Sequence, residues 1–74
     1  MTIFDIEQAI IRRGFEVDFG IDFHSKTFYC YIYHFVEDPI SGEQIDVDDV
    51  GVAGCASLRE AVEKAVEELR RVRP

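Results

Sequence analysis

The sequence predicts an α+β fold, a two-layer sandwich in which a three-stranded antiparallel meander carries two helices on one face, in the order α-β-β-β-α. Three observations carry this prediction. Apolar residues recur at helical spacing at both ends of the chain, they alternate with polar residues through the middle, and Gly and Pro mark the changes of period.

The first helix is expected over residues 3 to 13. Thr2 stands three residues ahead of Asp5, the spacing at which a hydroxyl and a carboxylate satisfy the free amides of a first turn. Ile3, Ile6 and Ile10 form one stripe flanked by Phe4, Ala9 and Ile11, while Arg12 and Arg13 complement the C-terminal dipole and Gly14 suits a left-handed cap. From Phe15 the period becomes two, with Phe15, Val17, Phe19, Ile21 and Phe23 alternating with Glu16, Asp18, Gly20 and Asp22, as in a strand buried on one face. A second strand follows over Lys26 to Val36, with His24-Ser25 as the hairpin tip. If Phe23 pairs with Lys26, then Phe28, Cys30, Ile32 and His34 share the core face, and Tyr29, Tyr31 and Tyr33 lie outside beside Asp18 and Glu16. A slip of one residue would reverse this.

The segment Glu37 to Gly42 reads as a turn, and Ile45 and Val47, alternating with Gln44, Asp46 and Asp48, as a short third strand at a sheet edge. The alternation breaks at Asp49-Val50, and Gly51 to Ala56 reads as a flexible approach to the second helix. That helix is expected over 58 to 73. Ser57-x-x-Glu60 has capping-box spacing, and Leu58, Ala61, Val62, Ala65, Val66, Leu69 and Val72 form its apolar stripe. Glu60 with Lys64, Lys64 with Glu68 and Glu67 with Arg71 are at ion-pair spacing.

A chain of 74 residues has interior enough for one domain, 1–74. Its 47% apolar content argues against disorder. No apolar run approaches the roughly 20 residues of a bilayer crossing, and the first residues lack a secretory pattern, so a cytoplasmic location with no membrane partner is the expectation. The formal net charge is −7, and residues 37 to 51 alone carry six acids and no base, so phosphate backbones should repel the chain and direct nucleic-acid binding is not expected. Two cysteines, Cys30 and Cys55, are too few for a disulfide scaffold and read as reduced, buried thiols.

Carboxylate placement is the sharpest chemical feature. Asp46 and Asp48, two apart on a strand, project from one face roughly 7 Å apart, close to the spacing of phosphates along a nucleic-acid strand. Asp49 adjoins them, and Glu16 and Asp18 supply a second row with the tyrosines between. Several negative acceptors on one surface suit the bidentate guanidinium groups of a basic groove. Tyr29, Tyr31, Tyr33 and Phe35 form a period-two ladder of the residue type that anchors protein interfaces. The bland alternative is equally open, since wet faces and edge strands carry charge to remain soluble.

Other chemistry has thinner support. Asp46-Val47-Asp48-Asp49 could hold a divalent cation, but no Ca²⁺-loop glycine pattern accompanies it, so no metal or other cofactor is expected. Cys30, His34, Cys55 and His24 match no zinc-site spacing. Gly51 to Ser57 brings backbone amides to a helix start without the lysine of a phosphate loop. Ser57 reads as a cap rather than a nucleophile, and no catalytic residue is assigned; the chain is not expected to be an enzyme.

The element order is similar to that of the double-stranded RNA-binding domain, and Gly51 to Ala65 resembles its Gly-rich approach to a second helix. Ser57, Leu58, Arg59 and Glu60 stand where that family has its Lys cluster, so its RNA binding is not carried over. Gly54-Cys55-Ala56-Ser57-Leu58-Arg59-Glu60-Ala61 resembles the strand-to-helix junction of HicB-type antitoxins, although a helix ahead of the sheet departs from that family's pattern. In size, element order and acid-and-tyrosine surface the chain also resembles small acidic phage and mobile-element proteins, among them some anti-CRISPR proteins that occupy a protein's nucleic-acid site. This last resemblance implies a non-enzymatic viral inhibitor that mimics nucleic acid and binds a basic effector through Glu16, Asp18, Tyr29, Tyr31, Tyr33, Asp46, Asp48 and Asp49. The alternative is an antitoxin-like or regulatory domain that dimerises through its third strand and binds a toxin. Either a monomer or a homodimer fits the sequence.

Overall fold

A computed structural model of the chain describes residues 1–73 and shows helix α1 (Ile3–Arg12), strands β1 (Glu16–Asp22), β2 (Thr27–Glu37) and β3 (Gln44–Cys55), and helix α2 (Leu58–Val72). The strands form one open antiparallel sheet in the order β1-β2-β3, so the expected α-β-β-β-α fold is the observed one.

Each helix begins where its cap dictates. The Thr2 hydroxyl accepts from the Asp5 amide, and the Asp5 carboxylate accepts from the Thr2 amide, which closes the capping box. The same two hydrogen bonds hold the Asp5 carboxyl below its ordinary pKa. Gly14 takes a φ of 92° after the C-cap, a left-handed conformation that a Cβ would penalise. In α2 the Ser57 hydroxyl accepts from the Glu60 amide, but the Glu60 carboxylate turns to the Ala56 amide, so the box is opened by one residue. The Glu60–Lys64 pair forms as expected, at 3.1 Å. The other ion pairs of α2 are Arg59–Glu63 and Arg71–Glu68 instead of Lys64–Glu68 and Glu67–Arg71. All are solvated and worth little individually.

Asp22 pairs with Thr27, which is the register that a Phe23–Lys26 pairing implies. The turn is nevertheless longer than His24-Ser25. Phe23 to Lys26 all lie in it, Lys26 takes a φ of 58°, and the Asp22 carboxylate accepts from the His24 amide, so Phe23 is an exposed turn residue instead of a core one.

The largest departure from expectation concerns β3. It is the longest strand, 12 residues, and it includes the Gly51–Cys55 segment expected to be a flexible approach. Two register shifts against β2 keep it in the sheet: one residue is extra between Asp48 and Val50, and another between Val52 and Cys55. Each bulge advances the alternation by one position, which is why the apolar side chains fall at 45, 47, 50, 52 and 55.

The core lies between the sheet and the helices, formed by Ile10 of α1, Cys30 and Ile32 of β2, Val50 and Cys55 of β3, and Ala61, Val62, Ala65 and Leu69 of α2. No buried polar side chain among the described residues lacks a hydrogen-bond partner. Both thiols are free and buried; burial pushes the Cys30 thiol up to about 11, with the Asp18 charge adding to the shift. Neither thiol should therefore react appreciably with Ellman's reagent in the native protein, and both should react at once in denaturant. Rapid native labelling of Cys30 would contradict this packing.

Candidate functional site

The sheet has a covered face and an open one. Because strand residues alternate, the register that puts Ile32 in the core puts Tyr29, Tyr31, Tyr33 and Phe35 on the opposite face. Across that face the pairings build rows of three. Tyr33 stands between Glu16 and Asp48, Tyr31 between Asp18 and Gly51, and Phe35 beside Asp46. Tyr29 and Tyr31 have ring centroids 5.3 Å apart, and Tyr33 and Phe35 meet edge to face at 5.7 Å.

Glycines set where the rings lie. A Cβ added at Gly20 would stand 2.9 Å from the Tyr29 Oη, and one at Gly51 would stand 3.2 Å from the Tyr31 Cδ1 and Cε1. Each phenol ring thus reclines over a neighbouring strand at a position without a side chain. Gly20→Ala should lift the Tyr29 ring from the sheet at a cost of about 1 kcal/mol. Ring-proton chemical shifts would report the displacement; unchanged Tyr29 shifts would contradict it.

Glu16, Asp18, Asp46 and Asp48 are exposed on this face, and none of the four has a cationic partner within 4 Å among the described residues. Glu37 and Glu43 at the far end of the β2–β3 hairpin are likewise exposed and form no ion pair among the described residues, whereas two other acids of the sheet region are engaged. Asp22 caps its turn, and the Asp38 carboxylate accepts from the Ile40 amide and the Ser41 hydroxyl, which lowers its pKa.

Asp49 does not belong to the open face, contrary to the sequence reading. It is the extra residue of the first bulge, and its side chain turns to the helix side, where only 4% is exposed. There the carboxylate bonds the His34 Nδ1 at 2.6 Å and the Arg73 Nη2 at 3.0 Å, which ties the end of α2 to the middle of β3. Burial raises the Asp49 carboxyl, but hydrogen bonds from His34 and Arg73 and the charges of those groups outweigh it, and the net shift is downward. A depressed folded-state pKa means that the contribution of Asp49 to stability is full above the unfolded value of 3.8 and is lost as pH falls through the folded value. The difference in melting temperature between the wild type and Asp49→Asn should therefore be constant near neutrality and shrink at pH 3. A difference that widens on acidification would contradict the assignment.

Register placed His34 on the core face, but spacing gave it no partner and did not single out Arg73. The available signal is the three-residue gap between Val47 and Val50, which marks Asp49 as out of phase with its neighbours.

Nine of the fifteen acids lie between residues 15 and 55 with one base, Lys26, whereas the helices and their flanks carry seven of the eight bases. The charge is thus segregated between the layers. Among the described residues no three His, Cys, Asp or Glu side chains are placed to share a metal ion, and no helix is long and apolar enough to cross a membrane. Two concavities of about 760 Å³ each lie away from the open face, one between α2 and β3 and one between the two helices. The chain matches no family model, no curated protein and no solved structure.

Proposed function

We propose that the chain is a non-enzymatic protein-binding module whose open sheet face engages a basic nucleic-acid-binding protein and blocks its nucleic-acid site, in the manner of phage or mobile-element inhibitors such as anti-CRISPR proteins. The observation that carries this reading is the set of four unpaired carboxylates, Glu16, Asp18, Asp46 and Asp48, interleaved with Tyr29, Tyr31 and Tyr33 on one exposed surface. Carboxylates of a folded strand are held in place before the partner arrives, so guanidinium groups that normally grip phosphates meet preset acceptors. The phenol rings supply contact area at small entropic cost. The charge of the sheet layer favours rapid, salt-sensitive encounter with a cationic groove.

The test is competition. Guide-loaded CRISPR effector complexes are incubated with the purified chain, and target-DNA binding is read by gel shift across a series of effector types. The reading expects wild-type protein to suppress DNA binding by at least one effector type and a variant with Glu16, Asp18, Asp46 and Asp48 changed to Lys to lose that effect. Suppression by the variant equal to wild type, or none by wild type throughout the series, would count against it.

A further inference from the structure

On the helix side of the sheet the β2–β3 hairpin outruns its cover. A helix of 15 residues is about 22 Å long, whereas a strand of 12 spans about 40 Å. α2 starts just beyond the end of β3, runs back along it, and stops level with Asp49, where Arg73 is bonded. β1 begins at Glu16, opposite Tyr33, and gives β2 no partner beyond it. Residues 34 to 37 and 44 to 47 therefore pair only with each other and project as a two-stranded arm from the body, consistent with a longest molecular dimension of 41 Å.

The helix-side surface of this arm is apolar and uncovered. Val36 pairs with Ile45 and Val47 with His34, yet Val36, Ile45 and Val47 are 41, 45 and 37% exposed. The stripe of α2 that packs on the sheet ends in Val72, itself 52% exposed. A two-stranded ribbon is marginally stable unless one face is covered, and contiguous exposed apolar side chains mark association sites.

The ends of the patch are oppositely charged. Beyond the arm's distal end lie Asp38 and Glu43, while Glu37 shares the open face with Phe35; at its proximal end lie Arg70, Arg71 and Arg73. Arg71 and Arg73 hold Glu68 and Asp49, but a guanidinium has five donors, and Arg70 forms no ion pair among the described residues. A uniformly cationic or anionic partner would meet like charge at one end. A second copy turned end for end lays valine and isoleucine on their counterparts and sets each acidic tip against the other copy's basic helix end, the self-complementarity that a two-fold interface requires.

We infer that the chain forms a two-fold homodimer through Val36, Ile45, Val47 and Val72, with Glu43 of each copy facing Arg70 and Arg71 of its partner. The inference does not depend on what binds the opposite sheet face, which this dimer leaves exposed in both copies. Sedimentation equilibrium from micromolar to sub-millimolar concentration should show a reversible monomer–dimer transition that weakens with salt. Ile45→Lys should raise the dissociation constant at least tenfold. Glu43→Arg should weaken the dimer, and adding Arg70→Glu should restore it; these exposed changes carry the test if Ile45→Lys lowers the melting temperature. A wild type that stays monomeric throughout overturns the inference, as does a dimer indifferent to Ile45→Lys and the charge reversals, such as one paired along the β3 edge.

Discussion

Ile32→Ala is expected to be the most damaging single substitution in the sheet, although Tyr31→Ser next to it should be tolerated. Ile32 is fully buried at the centre of the middle strand, between the outer strands and beneath α2. Its truncation removes favourable transfer and leaves a cavity that neighbouring Val62 and Leu69 can only partly close, a loss of about 2–5 kcal/mol. A chain of this length has a total stability on the order of 4–11 kcal/mol and shifts its melting temperature by about 4–8 °C per kcal/mol. The melting temperature should fall by roughly 10 °C or more, and part of the population should be unfolded at physiological temperature. Tyr31 is 41% exposed on the other face, so its loss should cost stability little and partner affinity considerably. Circular-dichroism melts of both variants check this; similar melting temperatures would mean that the two faces are not divided between stability and binding.

The second large effect is expected from reversing the open face. Changing Glu16, Asp18, Asp46 and Asp48 to Lys moves the formal charge from −7 to +1 without touching a buried side chain. Solvated ion pairs contribute only about 0.2–1 kcal/mol each, but charges desolvated together against a cationic groove contribute more, and reversal replaces attraction by repulsion. Affinity for a basic partner should fall by at least about 100-fold, equivalent to roughly 2.7 kcal/mol. The remaining binding should lose its salt dependence while the melting temperature stays within a few degrees of wild type. The counterpart is Asp49→Lys, which breaks the contact with Arg73 and strands a cation at the bulge; it should lower stability before it affects binding.

The helices were legible because they rest on local chemistry and strict period, whereas the division of tyrosines from core residues followed only from one of two registers the sequence left open, the one that the structure adopts. Thr2 with Asp5 and Ser57 ahead of Glu60 placed the helix starts, and alternation from Phe15 to Asp22, carried across the turn by the Phe23–Lys26 register, assigned the faces. What escaped was structure that changes phase. A bulge keeps a strand in its sheet while shifting the alternation, so the break at Asp49-Val50 resembled a strand end and Asp49 seemed to face outward with Asp46 and Asp48. The partners of Asp49 are remote in sequence, 15 and 24 residues away, and no local spacing reveals such contacts. The projecting arm was likewise invisible until the true length of β3 could be set against that of α2.

The central claim is that one sheet face, instead of net charge at large, receives a cationic partner. It can be tested on the isolated protein by following backbone amide chemical shifts during titration with an oligo-arginine peptide at low and high salt. The account expects the largest shifts along Glu16 to Gly20, Tyr29 to Tyr33 and Asp46 to Asp48, all suppressed by salt. Shifts distributed equally over the acids of that face, the arm tip at Glu43, and the α2 surface at Glu63, Glu67 and Glu68 would contradict it.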